Sequence, residues 1–173
     1  MTKRPEEIAL LAESGQLLAS VFDHLDHMNL IGMSTMQVND LVDGFIVNEL
    51  NARPASKGQY GYAYALNASP NHVVCHGVTS TTDVLQSGDI VNFDITLEKS
   101  GYIADSSKTY LVGEVSQPAQ RLVQVTYEAM WKGIQAVRPG ATLGDVGHAI
   151  ERHARRNGYS VVREYCGHGI GRE

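Results

Sequence analysis

The sequence predicts an α+β fold made of two related α/β halves, and three observations carry that reading. The stretch Val91-Asn92-Phe93-Asp94-Ile95-Thr96-Leu97 alternates apolar with polar residues, which is the period of a half-buried strand. Four other stretches repeat their apolar residues at helical spacing and carry start or stop signals at their ends. The order of helix, extended chain and His-Gly pair then occurs twice, at His76-Gly77 and at His168-Gly169.

Taken along the chain, the first helix spans about Pro5 to Met28. Pro5 stands at its first position, Glu6 and Glu7 lie in its first turn, and Ile8, Leu11, Leu17, Leu18, Val21 and Leu25 form its apolar stripe. The second helix opens at Gly32-Met33-Ser34 and runs to about Asn51, with Ser34 and Gln37 spaced as a capping box. Residues Gly58 to Asn71, with three tyrosines, read as a loop or irregular strand leading to His76 and bordering a pocket. The apolar run Val73-Val74-Cys75 reads as the strand that carries His76, with Cys75 as a small buried hydrophobe.

The strand Val91–Leu97 is followed by a short turn at Lys99-Ser100-Gly101 and a return strand from Tyr102 to Val112. Gln117 to Val137 forms an amphipathic helix ended by Pro139-Gly140, with Tyr127, Met130 and Trp131 expected in ordinary packing. Gly140-Ala141-Thr142 opens the last helix, which holds Asp145, Val146 and Ile150 and stops at Gly158. Arg152, Arg155 and Arg156 read as its solvated face. In the first half the His-Gly pair precedes an aspartate-bearing hairpin. In the second half the chain ends before an equivalent hairpin, so the second half is expected to be truncated, with unpaired edges and an open core. The whole, residues 1–173, is expected to be a single catalytic-type domain incomplete at its C-terminus.

Chemistry concentrates on the hairpin. Asp94 shares a strand face with Asn92 and Thr96, and Asp105 lies on the return strand. A turn centred at Lys99-Ser100 places the two aspartates directly across from each other with Cβ atoms roughly 5 Å apart, where like charges repel unless a cation sits between them. Two carboxylates on rigid strands offer oxygen ligands to Mn, Fe, Co or Zn, and a carboxylate shared by two ions is a common element of hydrolytic centres. A register shifted by one residue is the competing reading, and it would send the carboxylates to opposite faces.

Of the seven histidines, His24, His27, His148 and His153 fall in helical patterns and read as solvated or groove-lining, and His72 sits in a Ser-Pro-Asn-His turn. His76 and His168 each adjoin glycine, where backbone can approach a ligand closely. Cys75 and Cys166 neighbour these two histidines, but their spacing fits no zinc finger and calls for no disulfide.

Composition limits the remaining choices. With 173 residues, 43% hydrophobic and 19% charged, the chain can bury a substantial core. The formal charge of −5 argues against a nucleic-acid footprint. The N-terminus lacks an apolar signal core, and no stretch reaches the ~20 apolar residues that span a bilayer, so a cytoplasmic protein without membrane partners is expected.

Four segments resemble the bacterial type I methionine aminopeptidases, of the pita-bread fold. They are Val73-Val74-Cys75-His76-Gly77, Gly88-Asp89-Ile90-Val91-Asn92-Phe93-Asp94-Ile95-Thr96, Asp105-Ser106-Ser107-Lys108-Thr109, and the run from Val161 to Gly171 that contains Cys166-Gly167-His168-Gly169-Ile170-Gly171. The resemblance implies that Asp94, Asp105 and His168 bind metal. It implies that His76 contacts the substrate and steadies the reacting peptide bond, and that Tyr62 stands near the methionine side-chain pocket. The cofactor implied is one or two divalent ions, Co, Mn, Fe or Zn.

Departures accompany the match. Ala104-Asp105-Ser106-Ser107 stands where the family has Gly-Asp-Thr-Ser, Asn67 replaces a pocket cysteine, and His72 replaces an acidic residue. Beyond its Gly-His-Gly-Ile-Gly segment the family carries a second histidine and two metal-binding glutamates. This chain has none of these, and Glu173 falls too early to stand for either glutamate. The implied activity is removal of the initiator methionine from new proteins by a metal-activated water, with the 173-residue chain alone expected to show little of it. The implied partners are peptides with N-terminal methionine and the ribosome, and the state expected of the complete protein is a monomer. The alternative is a catalytically inactive truncated pita-bread module that binds peptide N-termini or a protein partner.

Overall fold

The computed structural model describes residues 2–165 and 167–172. Cys166 and Glu173, weighed above, therefore lie outside the described residues. Contacts divide the chain into two compact units, Met1–Val115 with Gly169–Glu173, and Ser116–His168.

In the first unit, α1 spans Pro5–Asp26 and begins where the sequence places it. Proline occupies the first turn, and the Glu7 carboxylate accepts from the Arg4 backbone N–H at 2.9 Å. Its buried face is Leu18, Val21, Phe22 and Leu25, the i, i+3, i+4, i+7 stripe of an amphipathic helix. Helix α2, Thr35–Gly44, carries the expected capping box. The Gln37 N–H donates to Ser34 Oγ at 3.2 Å while Gln37 Oε1 accepts from the Ser34 N–H at 2.8 Å. The helix continues as a π-helical turn over Phe45–Glu49, closed by the Leu50 N–H donating to Phe45 O, and Asn51 ends it in a left-handed conformation, φ 46°.

The sheet has four strands, β1 Arg53–Pro54, β2 Leu66–Pro70, β3 Ile90–Lys99 and β4 Tyr102–Leu111. All pairings are antiparallel, with β1 and β2 sharing one edge of β3 and β4 lying along the other. Alternation along β3 buries Val91, Phe93, Ile95 and Leu97 completely. They join Leu66, Ala68 and Ala104 in one core with Leu18, Val21, Leu25, Val38, Val42 and Ile46 of the helices. Each large side chain removed from water there contributes about 1.5–3 kcal/mol. The hairpin is tied to α1 by Ser14, whose hydroxyl donates to Tyr102 O at 2.9 Å.

Register differs from the sequence expectation. The turn is centred on Ser100-Gly101, both left-handed with φ of 55° and 78°, the arrangement a two-residue hairpin favours. Lys99 consequently pairs with Tyr102, Asp94 with Ser107 and Asp105 with Thr96. The slip is two residues, which retains a shared face for both aspartates and makes them diagonal neighbours instead of opposite ones.

A second correction concerns Val73-Val74-Cys75. The backbone there is not a strand; Val74 is exposed and Cys75 partly exposed. The chain turns back instead, with His76 at φ 53°.

In the second unit, α3 spans Gln117–Ala136 and α4 spans Leu143–Arg156. Thr142 caps α4, accepting from the Asp145 N–H while Asp145 accepts from the Thr142 N–H. Helix α3 buries Val125, Ala129 and Gly133, whereas Tyr127, Met130 and Trp131 are exposed by 55%, 41% and 44%, against the expectation of ordinary packing. The reason is angular, because residues two, five and six positions along from Val125 lie on the side of the helix away from its buried stripe. Arg152, Arg155 and Arg156 are exposed as expected.

Candidate metal centre and adjoining cavity

Alternation assigns one sheet face to the core and the other to chemistry. On the second face lie Asn92, Asp94 and Thr96 of β3, Asp105, Ser107 and Thr109 of β4, and Asn67 and Ser69 of β2. Diagonal neighbours on such a face stand about 7–8 Å apart at Cα. That separation eases carboxylate repulsion and leaves room between Asp94 and Asp105 for cations at ordinary metal–oxygen distances of about 2.0–2.2 Å. Lys108, adjacent in sequence, points to the opposite face, where its Nζ lies 2.6 Å from both oxygens of Asp26. It is thereby committed away from the aspartate pair.

Thr96 supplies an independent observation. It sits directly across from Asp105 and two residues from Asp94, and its Oγ1 is buried without a hydrogen-bond partner among the described residues. A buried hydroxyl in that state is costly, so its environment is fitted to a polar group. Two carboxylates with a hydroxyl between them suit a hard or borderline divalent cation and its water. Among the described residues, no group of three or more His, Cys, Asp and Glu side chains is close enough to hold a metal ion.

Beside this face is a cavity of about 390 Å³, lined by Gln59, Tyr60, Tyr62, Asn67, His76 and Val78 among others. Asn67 links the two features, because it lines the cavity and pairs in register with Asp94. The expectation that the tyrosine-rich stretch borders a pocket holds. Residues sequence reading missed are Ser56 and Val78, which line the cavity without any patterned signal.

Tyr62 is fixed within this wall. Its hydroxyl donates to Leu66 O at 2.8 Å, and its ring meets Tyr64 edge-on at 5.5 Å. Burial, then Tyr64, then the Asp94 charge push the phenol up to about 12, so it remains protonated at physiological pH. The Asp94 contribution places that carboxylate within electrostatic reach of the cavity.

His76 owes its position to Gly77. The Ala68 N–H donates to Gly77 O at 2.9 Å and the Gly77 N–H to Ser69 Oγ at 3.1 Å, so the chain after His76 is bound back onto β2. A Cβ at Gly77 would lie 2.0 Å from Ala68 O, which only glycine avoids. Glycine after His76 is therefore required by its packing on β2, whereas a Cβ on Gly167 or Gly169 would meet nothing within 4 Å among the described residues. His168 is exposed and belongs to the unit Ser116–His168. The segment after it adds to the free edge of β4, where the Ile103 N–H donates to Gly171 O at 2.7 Å and the Arg172 guanidinium lies 4.5 Å from the Tyr102 ring centre.

Residues 9–173 match the model of metallopeptidase family M24. The methionine aminopeptidase of Rickettsia prowazekii is 47% identical over 160 residues, 92% of this chain and 61% of that protein. That of Escherichia coli K12 is 39% identical over 170 residues, 98% of this chain and 64% of that protein. This chain thus spans a little over three fifths of the length of these relatives. The crystal structure of the Rickettsia prowazekii methionine aminopeptidase superposes with a TM-score of 0.96 at 42% identity, covering all of this chain and 69% of that one. The fold is accordingly the α+β pita-bread fold that the resemblance implies. No helix among the described residues is long and apolar enough to cross a membrane.

Proposed function

This chain belongs to metallopeptidase family M24, and from that premise we propose that it serves the metal-dependent removal of an N-terminal methionine from newly made proteins. The observation that carries the reading is the placement of Asp94 and Asp105 on one sheet face, joined through Asn67 to the cavity that His76 and Tyr62 line. By resemblance to the family, Asp94 and Asp105 would be the carboxylate ligands and His168 the imidazole ligand of one or two divalent ions, with Co, Mn, Fe and Zn all compatible with an oxygen and nitrogen donor set. A divalent ion held there would supply Lewis acidity and lower the pKa of a bound water toward neutrality.

The protein's own groups do the rest. His76, held by the Gly77 anchor, donates to the substrate and stabilises charge that develops at the scissile carbonyl, an interaction of a kind typically contributing about 2.7–4 kcal/mol. Tyr62 keeps its proton and its bond to Leu66 O, so it acts as a fixed wall for the methionine side chain and not as an acid or base. The carboxylates favour the ammonium of a free amino terminus. By resemblance to the methionine aminopeptidases, the substrate class is a peptide beginning with methionine followed by a small residue, met in the cytoplasm as a chain leaves the ribosome and acted on by the complete protein as a monomer.

The test is methionine release from Met-Ala-Ser by the protein isolated from its native cells and supplied with Co²⁺ or Mn²⁺. Release that falls by about a hundredfold or more with Asp94→Asn, and is weak on Leu-Ala-Ser, is the expected result. Release indifferent to Asp94→Asn overturns the reading.

A further inference from the structure

Tyr60 combines two features that the fold does not explain. Its backbone is left-handed, φ 49° and ψ 28°, a conformation disfavoured for a bulky L residue. Its side chain is fully exposed, so the ring draws nothing from the core in return. The surrounding turn is nevertheless firmly built. The Gly58 N–H donates to Tyr62 O at 2.7 Å, the Tyr62 N–H to Gln59 O at 2.8 Å, and Ser56 Oγ to Tyr64 O at 2.9 Å. Lys57 Nζ, 2.6 Å from Asp43 Oδ2, ties the same turn to α2. A rigid turn thus holds an aromatic ring in water at the rim of the cavity whose wall contains Tyr62, Asn67 and His76.

We propose that Tyr60 is a specificity-determining residue whose ring packs against the substrate beyond its first residue, so that the site prefers a peptide to an isolated methionine derivative. The inference rests on the peptidase reading given above and adds to it the element that senses the chain following methionine. An aromatic face is suited to this role because it contacts peptide planes and side chains of many kinds at little cost in rotamer freedom.

The experiment is calorimetric titration of the native protein, loaded with Mn²⁺, with two uncleavable ligands. One is methioninol, and the other is Met-Ala-Phe-Ser with its first peptide bond reduced to CH₂–NH. Tyr60→Gly retains the left-handed backbone without strain and removes the ring, and Tyr60→Phe retains the ring. The expected result is that the peptide analogue binds more tightly than methioninol to the wild type and to Tyr60→Phe. In Tyr60→Gly that advantage shrinks by about fivefold, with methioninol affinity unchanged. An affinity ratio equal in wild type and Tyr60→Gly overturns the proposal and leaves the peptidase reading intact. Loss of methioninol binding in Tyr60→Gly overturns it too, by placing the ring against the first residue. Failure of the wild type to bind either ligand overturns the peptidase reading and this one with it.

Discussion

Gly77 shows how one residue holds a site together. Its carbonyl accepts from the Ala68 N–H and its N–H donates to Ser69 Oγ, so the loop bearing His76 lies directly on β2. Alanine there would put a methyl group 2.0 Å from a backbone oxygen that cannot swing aside. Gly77→Ala is expected to destabilise the protein by about 1–3 kcal/mol, read as a lower urea midpoint with an unchanged slope. An unchanged midpoint would show that the β2 contact is not constraining. The His-Gly pair was legible in the sequence, but the contact that demands its glycine, with the Ala68 carbonyl on β2, was not, because it depends on how the loop folds back.

At the scale of the element, the hairpin determines what the aspartates can do. Alternation in β3 was sufficient to place Asp94 with Asn92 and Thr96 and to define the core face. Register was not legible, because it depends on which two residues turn left-handed, and Lys99-Ser100-Gly101 contains no Asn-Gly pair to mark them. Ser100 and Gly101 take that conformation and set the diagonal relation of Asp94 to Asp105. Gly101→Ala is expected to cost about 1 kcal/mol by strain at φ 78°, whereas Ser100→Asn leaves stability unchanged or slightly raised. Thermal melting of both variants checks this, and a Gly101→Ala protein as stable as the wild type would contradict the turn assignment. The exposed stripe on α3 was illegible for a related reason. Helical periodicity identifies an apolar face, but burial depends on which element covers it, and α4 packs on α3 with Val146 and Ile150 set against Gly133 of the buried stripe.

Across the whole molecule, the sheet serves as a partition. One face buries Phe93, Ile95 and Leu97 against α1 and α2 and supplies stability. The other collects two carboxylates, and a buried hydroxyl unpartnered among the described residues, beside a cavity. In a chain of net charge −5 this makes divalent metal the natural counterpart of the fold. Asp94 and Asp105 are proposed as that metal's carboxylate ligands. Calorimetric titration of the native protein with Mn²⁺ tests this most directly, comparing the wild type with Asp94→Asn and Asp105→Asn. Each substitution is predicted to weaken Mn²⁺ binding by about tenfold or more while leaving the protein folded. Mn²⁺ affinity equal in all three proteins would contradict the account.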